Sequence, residues 1–205
     1  MLEKAHPSLI SDSRMVAPTR RRFLTGLAAG GAALATSPLI PSLAFAAPTQ
    51  DAGELPGTRS LAFRSLHTGE EVAATYLRDG ILQAEGLQSL NHVLRDWRTG
   101  EVWDMDPKLL DLLYALRRRM DSQAPFELIS GYRSPKTNAS LASKSNGVAK
   151  RSFHMRGMAS DIRLPERDLK GLHKTALNLQ GGGVGLYSKS GFIHVDTGRV
   201  RRWGS

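Results

Sequence analysis

Apolar and polar positions alternate through RSLAFRSLHTGEEVAATYL, residues 59–77, on both sides of a polar turn at His67–Gly69. Period-two alternation around a glycine turn predicts a β-hairpin. The spacing changes in ILQAEGLQSLNHVLRDW, residues 81–97, where Leu87, Leu90, Val93, Leu94 and Trp97 fall on one helical face. DPKLLDLLYALRRRM, residues 106–120, predicts a second helix. Asp106 suits its N-cap, Pro107 its first position, and Arg117–Arg119 the negative end of its dipole. Short apolar runs follow at FELIS (126–130), MASDIRL (158–164), GGGVGLY (181–187) and GFIHVD (191–196), with a helical segment at DLKGLHKTALNL (168–179). The first three runs read as strands, the third entered through a glycine-rich turn, and GFIHVD as the last strand. Helices early and strands late predict an α+β domain, a small antiparallel sheet flanked by helices.

Two residues break this pattern. Asp161 stands inside an apolar strand, where aspartate is depleted and a buried carboxylate is costly unless paired or bound to a metal. In FIHVDTG, Ile193 and Val195 share one strand face, and Phe192, His194 and Asp196 share the other. An apolar face backed by a His/Asp face suits the floor of a polar site. His154 precedes Gly157, which lets the chain turn toward Asp161. Two imidazoles and one carboxylate make a three-ligand zinc set with a fourth position open, the catalytic arrangement. Spacing alone leaves the ordinary alternative open, since any one of six histidines is more often a surface or core-edge residue. His6 lies in the leader, His67 holds a turn, His92 suits either role, and His173 on its basic helix is expected to face solvent.

Composition changes the picture in two places. Cysteine is absent, so no disulfide supports the fold and any metal ligands are His and carboxylate. The net charge is +9, of which residues 1–46 carry five basic and two acidic side chains, leaving about +6 for the remainder. A basic surface suits nucleic acid, anionic lipid or an anionic polymer such as a cell wall. TRRRFLTGLAAGGAALATSPLIPSLAFAA, from Thr19, joins a basic cluster, an apolar stretch and the small-x-small sequence Ala44-Phe45-Ala46. That is the grammar of an export signal, and TRRRFL resembles the bacterial twin-arginine type. Pro38 and Pro41 interrupt the apolar stretch, which argues against a membrane span. Residues 1–46 are read as leader and signal, 47–58 as linker and 59–205 as the domain. Membrane attachment would then come only through an uncleaved signal. The export signal and the scarcity of aromatics, 6%, exclude nucleic-acid binding.

SGYRSPKTNA (130–139), SFHMRGMASDI (152–162), GGVGLY (182–187) and FIHVDTGRVRRW (192–203), with LHTGE (66–70) and LRDWRTGE (94–101), together resemble exported bacterial murein endopeptidases of the YcbK-like type. These share the zinc-peptidase fold of D-Ala-D-Ala peptidases and the hedgehog signalling domain. The resemblance implies a Zn2+ site made by His154, Asp161 and His194, and a periplasmic or cell-envelope peptidase acting on peptide cross-links or stems of peptidoglycan. It also places Arg133 in the site. Following a strand and a glycine, Arg133 can project into a cleft and stabilise an oxyanion, or form a structural ion pair. Ser130 and Ser152 are expected to orient the ligands through hydrogen bonds, and Gly157 to let their loop turn. One departure matters: many relatives carry a glutamate base three residues before the last histidine, and here that position is Gly191. Asp196 is the expected proton handler, with orientation of a ligand as its alternative and His92 as a reserve. Gly191 keeps a second function open, a non-catalytic zinc-bearing module that binds the wall. No motif separates D,D- from L,D-cross-links.

Overall fold

The computed structural model describes residues 57–145 and 147–204. The expected export signal and most of the expected linker lie outside these residues. The hairpin forms as expected from β1 (Thr58–Ser65) and β2 (Glu71–Arg78), paired antiparallel. A two-residue strand, β3 (Ile81–Leu82), takes the start of the segment read as helix. Helix α1 (Ala84–Val93) is therefore shorter than its apolar spacing suggested. The Asp96 carboxylate accepts from the Arg98 backbone N–H at 3.0 Å, the local turn that draws Asp residues out of helices. Trp97 is accordingly outside the helix and partly exposed.

Helix α2 (Pro107–Arg119) begins as the sequence predicts, with Asp106 accepting from the Lys108 N–H at 2.9 Å. It leads to β4 (Phe126–Ser130) and then to α3 (Pro135–Lys144), which the apolar pattern did not announce. The buried residues of α3 are Thr137 and Asn138, so no hydrophobic stripe marks it; its signal is the Ser134 cap followed by Pro135. A 3₁₀ turn (Phe153–Arg156), β5 (Ala159–Arg163), α4 (Leu169–Leu179), β6 (Gly183–Tyr187), β7 (Phe192–Asp196) and β8 (Arg201–Gly204) complete the order.

The strands form one sheet in the order β3-β2-β1-β4-β5-β7-β6-β8. The expectation of a small antiparallel sheet is corrected: the domain is α+β, and its eight-stranded sheet is mixed. Strand β4 runs parallel to β1 because α1 and α2 carry the chain back between them. Strand β8 adds parallel to β6 at the sheet edge. Its sequence, RRWG, has too few apolar positions to read as a strand.

Leu90, Val93 and Leu94 at α1, Leu109, Leu110, Leu113 and Leu116 of α2, and Leu172 and Ala176 of α4 are buried in one core with Phe63, Phe126, Ile162, Ile193 and Val195 of the sheet. Fully burying one such aliphatic side chain contributes roughly 1.5–3 kcal/mol. This rigid base fixes the strands whose opposite face carries the polar residues. Among the described residues no helix is long and apolar enough to cross a membrane.

Candidate metal and active site

Antiparallel register places Asp161 opposite His194, and β4 sets Ser130 opposite Asp161. The row continues through Gly185 on β6 to Trp203 on β8. Five strands thus contribute Ser130, Asp161, His194, Gly185 and Trp203 to one line across one face of the sheet. A Cβ at Gly185 would lie 2.5 Å from the Trp203 ring, so the missing side chain makes room for the indole. That ring lies 5.1 Å from His194, centroid to centroid. Gly183 plays the same part for Arg201, whose guanidinium would lie 2.1 Å from an added Cβ. The two glycines of GGGVGLY that enter this strand are gaps through which β8 reaches the site.

His154 comes from the 3₁₀ turn. Ser152 caps that turn, its hydroxyl accepting from the His154 N–H at 3.4 Å. Gly157 ends it in the left-handed region at φ +66, where a Cβ would approach the Asp104 carbonyl to 2.5 Å. Only glycine fits there without strain. Ser152 and Gly157 thus bracket His154 at the two ends of its turn.

The ligand atoms of His154, Asp161 and His194 lie within 4.8 Å of one another, all on buried residues. His154 Nδ1–H donates to the Gly131 carbonyl at 2.6 Å, and His194 Nε2–H donates to Asp196 Oδ2 at 2.9 Å. With those tautomers set by their partners, His154 Nε2 and His194 Nδ1 turn their lone pairs toward each other at 3.2 Å. Both also face Asp161 Oδ1, at 3.2 and 2.8 Å. Two lone pairs and a carboxylate oxygen converging on one point are the chemistry of a metal donor set, and each imidazole has the outer hydrogen bond that metal-bound histidines carry. These residues fit a divalent cation.

Burial pushes the His154 imidazole down, favouring its neutral, ligating form. Burial acts against charge on Asp161 too, yet protonation of the facing imidazoles, the state that competes with a cation, holds its carboxyl well below the usual range. For His194 burial is outweighed by hydrogen bonds to Asp161 and Asp196, and the ring is pushed up.

Arg133 lies where the sequence places it, at the end of β4 in the cleft. Its Nε donates to Ser130 Oγ at 2.8 Å, and its Nη2 donates to Asp161 Oδ2. Ser130 therefore holds Arg133 rather than a ligand. Asp196 is fully buried behind His194. It accepts from His194, twice from the Arg201 guanidinium at 2.9 and 2.7 Å, and from the Gly183 and Gly198 N–H groups. Burial opposes its charge, but the bonds from His194 and Arg201 hold its carboxyl low. The geometry matches the ligand-orienting alternative, and the two-residue reach expected toward a water is taken up by the far nitrogen of His194.

The site opens into a cleft of about 630 Å³. Tyr187, Phe192 and Trp203 line one part, with Tyr187 and Phe192 stacked at 4.7 Å and Trp203 Nε1–H donating to Tyr187 Oη at 3.1 Å. His92 does not line the cleft; it is exposed, 3.6 Å from Glu70. His173 is half-buried rather than solvent-facing, its Nε2 buried without a hydrogen-bond partner. His67 does line the cleft and stacks on Trp97 at 4.0 Å.

Sequence reasoning passed over Asp96, Arg201 and Trp203. Asp96 is 1% exposed and accepts from both the Ser134 N–H, 2.9 Å, and the Ser134 hydroxyl, 2.7 Å. It pins the residue after Arg133. The signal for Asp96 is an acid flanked by arginines at the end of an apolar helix; for Arg201 and Trp203 it is the two glycines opposite them.

Residues 54–203 match the family described as peptidoglycan L,D-endopeptidase MepK. The chain is similar to a protein named peptidoglycan L,D-endopeptidase MepK from Escherichia coli, 42% identical over 178 residues, covering 86% of this chain and 94% of that one. The protein of that name from Shigella flexneri matches to the same extent. A probable peptidoglycan L,D-endopeptidase MepK from Haemophilus influenzae is 40% identical over 179 residues, covering 86% and 92%. No solved structure matches.

Proposed function

This chain belongs to the peptidoglycan L,D-endopeptidase MepK family, and on that premise we propose that it is a zinc peptidase that cuts L,D-cross-links of bacterial peptidoglycan during wall remodelling. The observation that carries the reading is the convergence of His154, Asp161 and His194 at the floor of a cleft, with an arginine at its side. Membership of an endopeptidase family favours this enzyme over the non-catalytic wall-binding module that Gly191 kept open.

His154 Nε2, Asp161 Oδ1 and His194 Nδ1 would hold the zinc. A zinc held there would supply Lewis acidity toward a carbonyl oxygen and toward water. The protein's own groups do the rest. Arg133 has two donors held by Ser130 and Asp161, so the guanidinium stays fixed while its remaining N–H groups meet charge growing on the scissile carbonyl oxygen. Asp196 acts as a positioning residue: it takes the Nε2 proton of His194, fixing the tautomer, and Arg201 neutralises its charge. Ser152 and Gly157 hold His154 in the turn. The substrate lies outside the cytoplasmic membrane, which suits an exported protein and the twin-arginine-type signal read in the first 46 residues.

The test uses purified protein on isolated peptidoglycan, with and without chelator, and mass spectrometry of the products. Fragments from L,D-cross-links that vanish with chelator and return with zinc are expected. Stoichiometric zinc with no new fragment would overturn the reading.

A further inference from the structure

The cleft is lined by four arginines, Arg98, Arg133, Arg151 and Arg201, but by one carboxylate, Asp161. Arg133 is tied to Asp161 and Arg201 to Asp196. Arg98 makes no salt bridge among the described residues, although Asp96 is near enough to favour its charge. Its neighbour Asp96 is already spent on the Arg98 backbone N–H and on Ser134. Arg98 is nevertheless held in place: its guanidinium carbon lies 4.1 Å from the centroid of the Trp97 ring, and Trp97 stacks on His67 at 4.0 Å. Such stacking fixes a guanidinium without consuming its hydrogen-bond donors. His67 also faces the cleft. Burial, and then the charge of Arg98 beside it, push its imidazole down toward the neutral form, so it offers Arg98 no charge of either sign.

Building on the peptidase reading above, we propose that Arg98, on its Trp97–His67 platform, binds a free carboxylate of the substrate peptide beside the scissile bond. The ligand class is a carboxylate-bearing cross-linked peptide. An unpaired guanidinium beside a second arginine in a half-desolvated cleft gains most from a planar anion that accepts two N–H bonds. Burial disfavours the charge on Arg98, nearby Asp96 offsets part of that, and Arg133 adds a smaller repulsion; an incoming carboxylate in direct contact relieves what remains. The site thus selects substrates by charge through a contact separate from the one made to the reacting carbonyl.

The test is isothermal titration of the zinc-loaded protein with two soluble stem-peptide dimers, both N-methylated at the scissile amide to prevent cleavage. One carries free carboxylates; in the other they are amidated. One charge-assisted contact corresponds to roughly tenfold to a hundredfold in Kd. Amidation is expected to weaken wild-type binding by that factor. Arg98→Gln should weaken binding of the free dimer equally, with no further loss on amidation, and Arg98→Lys should recover part of it. Arg98 is exposed, and thermal melts of the variants check that they fold as the wild type does. The proposal is overturned if amidation leaves wild-type Kd unchanged, if Arg98→Gln weakens both dimers equally, or if neither dimer binds. Failure of the peptidase reading is seen separately, as no cleavage of the unmethylated free dimer.

Discussion

His194 and Asp196 sit two residues apart on β7 and are joined by an Nε2–H···Oδ2 hydrogen bond of 2.9 Å, which turns the other nitrogen of the ring toward Asp161. Strand alternation puts both side chains on one face, and the bond decides how the ring is used. Removing the charge at Asp196 should therefore act through His194. Asp196→Asn is expected to lower zinc affinity and turnover together, each roughly tenfold to a hundredfold. Chelator competition measures the first and dimer cleavage the second. Turnover lost with zinc affinity intact would instead return Asp196 to a proton-handling role.

Arg133 offers a separate experiment. Its planar fork spans Ser130 and Asp161, which a lysine cannot imitate. Arg133→Lys should lower kcat by roughly 10²–10³, the usual loss for one oxyanion donor. KM and bound zinc should change far less. Rates on a soluble dimer and metal analysis of the same preparation check this.

Gly157 tests the turn. With φ at +66 and a carbonyl 2.5 Å from any Cβ, Gly157→Ala is expected to cost about 1–3 kcal/mol of stability. Urea unfolding measures it. Zinc affinity should fall as well, because His154 lies three residues away on the same turn.

Acid should reveal Asp96. Burial would raise its pKa, but hydrogen bonds from Thr137, Ser134 and the Arg98 backbone lower it from 3.8 to about 2. A carboxylate with a lower pKa folded than unfolded stabilises the fold fully above about pH 4, and that contribution is lost as pH falls toward 2. Asp96→Asn should flatten the fall in stability across this window. Thermal melts of both proteins between pH 5 and pH 2 show whether the slopes differ.

Much of the site was legible because its residues violate local rules. Asp161 inside an apolar strand and His194 opposite Ile193 are positions that a core alone would not select, and the structure brings both together with His154. Less could be read where the cause is non-local. Alternation told that His194 and Asp196 share a face, but not that Arg201, from another strand, would claim both Asp196 oxygens. Helix α3 buries Thr137 and Asn138 instead of an apolar stripe, and β8 docks over two glycines, so neither leaves a periodic pattern. The parallel pairings of β1 with β4 and β6 with β8 depend on crossovers, and these turned an expected antiparallel sheet into a mixed one.

The three donors are not mounted alike. Asp161 and His194 face each other across a backbone ladder that runs through the middle of the sheet, whereas His154 rides on four residues of 3₁₀ turn tied to the rest of the fold by single bonds, from its ring to the Gly131 carbonyl, from the Arg133 N–H to its own carbonyl and from the Asp106 N–H to the Gly157 carbonyl. Opening that turn breaks fewer backbone bonds than parting the strands, and short segments unfold locally while core strands stay paired. Metal exchange should then proceed by release of His154 first. The lifetime of an ion held there would then be a property of the turn, with the ladder left as a half-built receptor ready for reloading.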